Sequence, residues 1–581
     1  MKIPDDPARK ALFVKWCIDT CTASQEERRN LYAKRRRFYQ YGQNQEQICR
    51  LNRLKSHLGL VLSFIISADG LSYSITAPHN ADEDTIKKYL AIQDDWNNEV
   101  RDSGLAKLAV EAVKWGLNYD SMILKQGWND RTDRLFGELI EPSSFGVFHE
   151  DQMDFTSQRA MVHSFLLDWD EAVERLDRAG KHSEIDRIAT AEGEADNALP
   201  PAVQRMIISA TGGANLAGNM VGEINPDYEE TPLYKAKIDQ TRVRFHEAWI
   251  WDDAACDNEG TRCGDFRMIH MLEPDIIVSD SAETIAALTK KASNGHKPKW
   301  ASTTNLYLPQ ENPFTVFRPY DMYNYFWGDC HLEDLVPLQK WMLERLEQID
   351  EILQKQADPP NSFTGMMSAD EGKMEAWGGP GTWVSDQMPG AKAEPHPPEM
   401  PEDLFAEFNQ IGALFLEQSG MTENIAGRGE KNVRSASHSK QLSVTGGGRI
   451  RQVAVGLEEP LARMGEIGLR LKAKNDDSPL RTDNAEFVMA QVLDEHAFKI
   501  SVSGHSHSPL FTAETHEIAA MLLKAQAIDQ EGFIRAINPP GASQMIHSLH
   551  VRQKAIAAQR EQERAAGIPP AKPNGKQRTS A

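Results

Sequence analysis

Apolar residues recur along the N-terminal part of the chain with the spacing of helices, interrupted by stretches with the spacing of strands. Ile48, Leu51, Leu54 and Leu58 step by three, three and four, and residues 10–66 read as helical. Leu71 to Pro78 follows as a short strand with Leu71, Tyr73 and Ile75 on one face. Residues 82–119 return to the helical pattern through Leu90, Ile92, Trp96, Leu105, Leu108, Val110, Val113 and Trp115, with Gly116 as the expected stop. Strand-like pieces follow around 121–128 and 138–148, then a short helix from Asp168 to Arg178. Residues 185–235 are polar and show no clear period. From Thr241 to Ile277 the alternation is that of strands, through Val243, Phe245, Ala248 and Ile250 and then Phe266, Met268, His270 and Leu272. A turn region rich in Asp, Asn and Gly separates the two sets at 252–264, and residues 294–304 read as a loop.

The clearest long helix is 332–356. Leu335, Leu338, Met342, Leu346, Ile349 and Leu353 step by three, four, four, three and four. Pro337 is compatible with this pattern only in the first turn. Asp358-Pro359-Pro360 ends the helix, because proline cannot continue it. Residues 359–401 are rich in Gly and Pro, and a loop of that length is usually functional or mobile. Further helices are expected at 402–419, closing on Gly420, and at 449–474 and 513–530, with strand character at 487–504. An Ala-, Gln- and Arg-rich helix is expected at 542–566, and the last fifteen residues read as a flexible tail.

Composition narrows the function classes. The chain has 581 residues, 64 basic and 85 acidic, for a formal charge of −21. At about 150 residues per domain, roughly four domains or sub-domains fit. With 40% hydrophobic and 26% charged residues the chain reads as soluble and globular rather than disordered. The longest apolar run, Leu58 to Ile66, is about half of a membrane span. No signal-peptide pattern opens the sequence, and six cysteines in so long a chain make no disulfide framework, so a reducing cytoplasm is expected. The acidity argues against a protein that grips nucleic acid over a wide basic face, but not against one past which nucleic acid slides.

Candidate chemistry is sparse. Gly180-Lys181-His182, Gly446-Gly447-Gly448 and Gly575-Lys576-Gln577 all fail to complete a phosphate loop. His505 and His507 share a strand face, with His516 as a distant third group, and read as surface or interface residues rather than a metal site. Cys17 and Cys21, and Cys256 and Cys263, lack partners at zinc spacing and read as ordinary thiols. No nucleophile and base stand together, so the expectation is a protein without catalytic residues, metal or cofactor. Arg28, Arg29 and Lys34 to Arg37 interleave with Tyr32, Phe38, Tyr39 and Tyr41. Such a run can contact phosphates and bases. Against 85 acidic groups it reads rather as a solvated or subunit-facing surface, which places Arg35 and Arg36 at an interface. The 332–356 helix sets Glu333, Asp334, Glu344, Glu347, Asp350 and Glu351 against Lys340, Arg345 and Lys355. It is either an ordinary core helix or one standing beside copies of itself, its polar face lining a passage.

The order of these local signals resembles that of tailed-bacteriophage portal proteins. The basic helix running into Phe38-Tyr39-Gln40-Tyr41-Gly42-Gln43, followed by Asn52, is similar to the family's Arg-rich helix and aromatic-x-Gly-x-Gln turn, although Gln43 here follows Gly42 directly. Ala112 to Gly116 with Lys125 and Trp128 resembles its helix-Gly-strand unit. Ile140 to Val147, around Pro142, resembles its proline and short strand. Tyr323 to Gly328, then Leu332, Leu335 and Gln339, resembles the approach to the stem helix. Ser419-Gly420-Met421 with Gly427, Gly429 and Ser435 resembles the stretch after the tunnel loop. The similarity covers most of 25–560, and 180–235 matches poorly.

The resemblance implies an α+β, portal-like fold, mainly helical, with wing strands, a β-rich clip, a long stem helix and a helical crown. Its divisions would be an N-terminal wing region at 1–235, with an unplaced first stem helix near its end, and a clip at 236–315. The stem helix at 316–357 and a tunnel loop at 358–401 would follow. A C-terminal wing region at 402–510, crown helices at 511–566 and a tail at 567–581 would complete the chain. It further implies a ring, usually of twelve copies, at one capsid vertex, through which double-stranded DNA is packaged and later ejected. Terminase, the major capsid protein or scaffold, and tail adaptors would be its partners, with no membrane. It would reside in the virion, after assembly in the host bacterial cytoplasm. Lys340, Glu344, Glu347, Glu351, Lys355 and Lys373 would face the bore. Leu335, Leu338, Met342, Leu346, Ile349, Leu353, Arg35 and Arg36 would face neighbours. Twelve copies would carry roughly −250 formal charges, which suits sliding rather than clamping of DNA. The alternatives are a packaging ATPase or nuclease, and another virion structural protein such as an adaptor or capsid component.

Overall fold

A computed structural model describes residues 2–43, 51–66, 71–78, 81–129, 132–154, 157–188, 242–253, 264–281, 307–308, 311–357, 361–364, 392–395, 399–420, 448–482, 486–495, 498–503, 518–537, 545–546, 548–549 and 552. Helices in the N-terminal region start and stop at their own caps. The Asp6 carboxylate accepts from the Arg9 N–H and opens α1 (Pro7–Thr22). α2 (Gln25–Tyr41) closes on Gly42 at φ +78°, and Asn52 caps α3 (Arg53–Ile65) through the Lys55 N–H. The expected single helix at 82–119 is two, α4 (Glu83–Asp102) and α5 (Leu105–Tyr119), broken at Gly104 with φ +76°. Gly116 is not the stop. It lies inside α5, where a Cβ would sit 3.1 Å from the Phe317 carbonyl oxygen, so its role is close approach.

Three antiparallel strands form one sheet, β3 (Arg134–Ile140), β2 (Met122–Asn129) and β9 (Phe314–Phe317), with β2 central and Ile123 opposite both Ile140 and Val316. A second sheet runs in the order β4 (Phe145–Val147), β5 (Ala160–Asp168), β6 (Arg242–Asp252), β7 (Asp265–Leu272) and β8 (Ile276–Asp280). The strands expected to form a separate clip at 236–315 therefore do not stand alone. β6 pairs along its length with β5, placing Phe245 opposite Phe165 and Trp249 opposite Met161, and the boundary at 315/316 falls inside β9. Both faces of this sheet are covered, which favours one continuous layer. Val14, Cys17 and Cys21 of α1 cover Val162, Ala248 and Ile250, while Met161 and Trp249 meet Ile123 and Phe314 of the three-stranded sheet. The short helix α6 (Trp169–Arg178) starts after Asp168 as expected.

The largest core joins α3, α4 and α5 to C-terminal elements. β14 (Lys499–Ser503) pairs with β1 (Ser72–Thr76), Ile75 opposite Ile500, and α9 (Gly448–Gly456) and α10 (Glu458–Asn475) pack beside them. Residues 487–504 are not strand throughout. A short helix, Met489–Glu495, separates β13 (Glu486–Val488), which pairs with β12 (Pro479–Arg481), from β14, because Val492 and Leu493 are buried at helical spacing from Met489. The helix α7 (Val336–Ala357) follows a 3-10 turn at Glu333–Leu335, with Pro337 in its first turn as expected. The segment 358–401 is not all loop. β10 (Asn361–Thr364) and β11 (Lys392–Pro395) form an antiparallel ribbon with Asn361 opposite Pro395, and α8 (Glu402–Gln418) then runs to Gly420 at φ +71°. Residues 365–391, including Lys373, lie outside the described residues, as do 189–241 and most of 542–566. Among the described residues no helix is long and apolar enough to cross a membrane.

Candidate functional site: a helical arm and its charged faces

α7 and α8 form an antiparallel pair. His57 touches both His331, just before α7, and Phe415, near the end of α8, while Arg345 further along α7 binds Glu407 nearer the start of α8. At 1.5 Å per residue α7 is about 33 Å long. Its apolar stripe loses cover toward the ribbon: Leu335 is 1%, Met342 0%, Ile349 8% and Leu353 49% exposed. This overturns part of the interface expectation. Leu335 and Met342 belong to the chain's own core with Ile411 and Phe415, Leu338 packs against that core, and Ile349 is buried with no second copy present. Leu346 is half-buried, and of the stripe only Leu353 presents a large open surface.

The root of this arm is held at three points. Arg35 Nε donates to Glu333 Oε2 at 3.0 Å. The His57 and His331 rings stack with their Nε2 atoms 2.9 Å apart, and the Tyr320 hydroxyl lies 2.8 Å from His331 Nδ1. Gln339, fully buried on α7, accepts from the Arg53 N–H at 3.2 Å and donates to the Leu51 carbonyl at 2.5 Å. Each contact fixes α7 against the N-terminal helices.

Two of the six cations of the α2 basic run, Arg28 and Arg35, point inward. Arg28 Nη1 pairs with Glu150 Oε1 at 2.7 Å, Nη2 donates to the Phe145 carbonyl at 2.9 Å, and the guanidinium lies 3.9 Å over the Trp327 ring. Tyr32 donates to Asp120 Oδ1 at 3.0 Å, and Arg35 Nη1 pairs with Asp120 Oδ2 at 2.7 Å. Arg35 is therefore committed within the chain and is corrected from a subunit contact to a buried ion-pair partner. Burial pushes the Asp120 carboxyl up to about 6, although Arg35 works in the other direction. The spacing 28, 32, 35 is one helical face, a signal present in the sequence that charge alone obscures. Lys34 and Arg36 are exposed.

Opposite the apolar stripe, α7 carries Lys340, Glu344, Glu347, Glu351 and Lys355, spaced by four, three, four and four, and all five are exposed on one face. Lys340 Nζ lies 5.3 Å from the centre of the Phe38 ring, and Lys355 pairs with Glu351 at 2.6 Å. The spacing in the sequence is thus a single polar face in space.

One buried ionic group had no signal of its own in the sequence. Lys125 on β2 pairs with Glu247 on β6 at 2.7 Å, and Trp249 Nε1 donates to the same carboxylate at 2.7 Å. Burial alone would raise the Glu247 carboxyl, but His270 and Lys125 hold it well below the usual carboxylate range. This pair ties the two sheets together. Nearby, burial pulls His163 down to about 4, with Glu247 opposing and Lys125 reinforcing the shift.

The three described thiols, Cys17, Cys21 and Cys330, are all buried. Burial lifts the Cys17 and Cys330 thiols to about 12 and holds the Cys21 thiol well above its ordinary value, so they are protonated at neutral pH. No group of three or more His, Cys, Asp or Glu among the described residues is placed to hold a metal ion. His505, His507, His516, Cys256 and Cys263 lie outside the described residues. The chain matches no protein-family model and no curated protein.

Proposed function

We propose that this chain is the subunit of a phage portal: a ring at one capsid vertex whose bore passes double-stranded DNA during packaging and ejection. The observation that carries the reading is the α7–α8 arm. Its apolar stripe is largely satisfied inside the chain, while the opposite face keeps three glutamates and two lysines in solvent. Turned toward a bore, that face is predominantly acidic and repels phosphate, so a duplex moves past without being held. Lys340 and Lys355 set positive points within it. The ribbon β10–β11 follows the end of the arm, where a constriction of the bore would form. In this reading the five-stranded sheet and the N-terminal helices make the wing, and terminase and tail adaptors would dock at the clip. Capsid protein or scaffold would contact the wing from outside. No described residue serves ATP hydrolysis in this proposal, and that chemistry belongs to the separate motor.

The direct test is the mass of the purified chain. With 65.1 kDa per subunit, twelve copies form a particle of roughly 780 kDa. Mass photometry is expected to show one high-mass species of about that size. A monomer at every concentration and salt condition contradicts the reading.

A further inference from the structure

We infer that the His57–His331 contact is an acid-sensitive latch at the root of the α7–α8 arm. It closes on one proton shared between the two rings, and a second proton opens it and frees the arm from α3. The latch lies within a single chain and does not depend on the ring reading above.

The geometry of the pair admits one shared proton and no more. Both rings are buried, their planes agree within 12° and their centres lie 5.1 Å apart. The 2.9 Å between the Nε2 atoms takes up most of that separation, so each Nε2 points at the other. One ring donates an N–H and the other accepts with its lone pair. With a proton on both, two N–H groups meet head on and two positive charges stand in contact away from water. The rings then separate. His331 is tied by its backbone N–H to the Leu117 carbonyl at 3.2 Å, and His57 meets the Phe415 ring of α8 edge-on. Because His57 touches both the approach to α7 and the end of α8, its departure loosens α3 from both helices of the arm at once.

The titratable and charged groups around the pair come from each element packed there. On the α7 side the Tyr320 hydroxyl meets His331 Nδ1 at 2.8 Å, and the Cys330 thiol, kept protonated by burial, reaches the Asn118 carbonyl at 2.9 Å. Glu333 pairs with Arg35 of α2, which also holds Asp120 at the end of α5. On α3 itself, Arg53 stands one turn before His57 with its guanidinium beside Gly412 of α8. Both arginines keep their charge at every pH considered, so neither takes up the second proton in place of a ring. Lys114 of α5 pairs with Glu111, while Lys55, Asp334, Glu417 and Arg451 are exposed. α5 and α9 contribute Leu117, Ile450 and Val453 to the core around α3. Asp120 titrates at about 6, in the same range as an imidazole, and the experiment separates the two.

The test is amide hydrogen exchange of the full chain at about pH 7.5 and about pH 5.5, either side of the ordinary histidine value, corrected for the intrinsic effect of pH on exchange. One proton taken up on opening favours the open form about tenfold per pH unit below about 6.5. Exchange across 333–342 and 411–418 is therefore expected to rise about tenfold, while β5 and β6 hold. No rise there, or an equal rise in β5 and β6, overturns the latch. His57→Gln and His331→Gln each leave one imidazole facing an amide, and each is expected to abolish the rise. A rise that persists in either variant assigns the loosening to another group and overturns the latch. Asp120→Asn keeps both rings and removes the competing titration, so it decides the matter even where a histidine variant fails to fold. The rise is expected to remain in Asp120→Asn, and its loss overturns the latch.

Discussion

Arg35 Nε lies 3.0 Å from Glu333 Oε2, so the basic helix α2 holds the turn from which α7 departs. The same guanidinium reaches Asp120 at 2.7 Å through Nη1 and also donates to the Tyr119 carbonyl. One side chain thus joins α2, the end of α5 and the root of the arm, and only a planar fork of donors serves all three.

Replacing Arg35 with Ala leaves Asp120 buried without its cation. Removing one partner of a buried pair costs on the order of 3–5 kcal/mol. The expected result is a markedly lower melting temperature and faster amide exchange across 333–345. Arg35→Lys recovers only part of the loss. An unchanged melt and unchanged exchange contradict the assigned role.

The stripe on α7 yields a paired prediction. Ile349 is buried inside the chain, so Ile349→Asp sets an unpaired charge in the core and is expected to destabilise the protein by about 3 kcal/mol or more. Leu353 is half-exposed, so Leu353→Asp is expected to change stability by no more than about 0.5 kcal/mol. Urea melts of the two variants check this. Equal, small effects would mean that the stripe is not packed at Ile349.

His163 gives a pH dependence. Its folded value of about 4 lies below the ordinary 6.5, so the proton binds the unfolded chain more readily. Its contribution to stability is complete above pH 6.5 and is lost as pH falls toward 4. The loss approaches about 3 kcal/mol, at 1.4 kcal/mol per tenfold difference in proton affinity. Chemical denaturation of wild type and His163→Gln across that interval is expected to show a shallower slope in the variant. Parallel slopes contradict the assignment.

The polar face of α7 gives a functional prediction. Glu344→Gln/Glu347→Gln/Glu351→Gln removes three charges per subunit from exposed positions, so folding and ring mass are expected to hold. Double-stranded DNA is expected to bind the variant rings more tightly than wild type at about 50 mM salt, with the difference shrinking toward about 200 mM. Filter binding at both salt levels measures this. Equal DNA affinity at low salt means that this face does not meet the duplex.

Much of this arrangement was legible in the sequence where one element carries the whole signal. The stripe of α7, its start at Pro337 and its polar face needed only the helical period. What covers the stripe was not legible, because an apolar face records that it is buried and not by whom. Ile411 and Phe415 of the same chain do so, more than sixty residues further on. β5 hid for a related reason. Both of its faces are covered, so Ala160–Leu167 shows no two-residue alternation, and its pairing with β6 spans the unpatterned stretch before 242. The inward members of the basic run could have been seen from the spacing of Arg28, Tyr32 and Arg35, but their partners Glu150, Asp120 and Glu333 are scattered along the chain. The polar face was legible because one helix carries all five of its residues at helical spacing.

The most direct test of the portal reading is an electron-microscopy image of the purified chain viewed along its symmetry axis. The account predicts a closed ring, with a central opening that admits a DNA duplex and the α7 polar face lining it. Isolated particles, or a ring whose centre is filled by protein with α7 facing outward, contradict it.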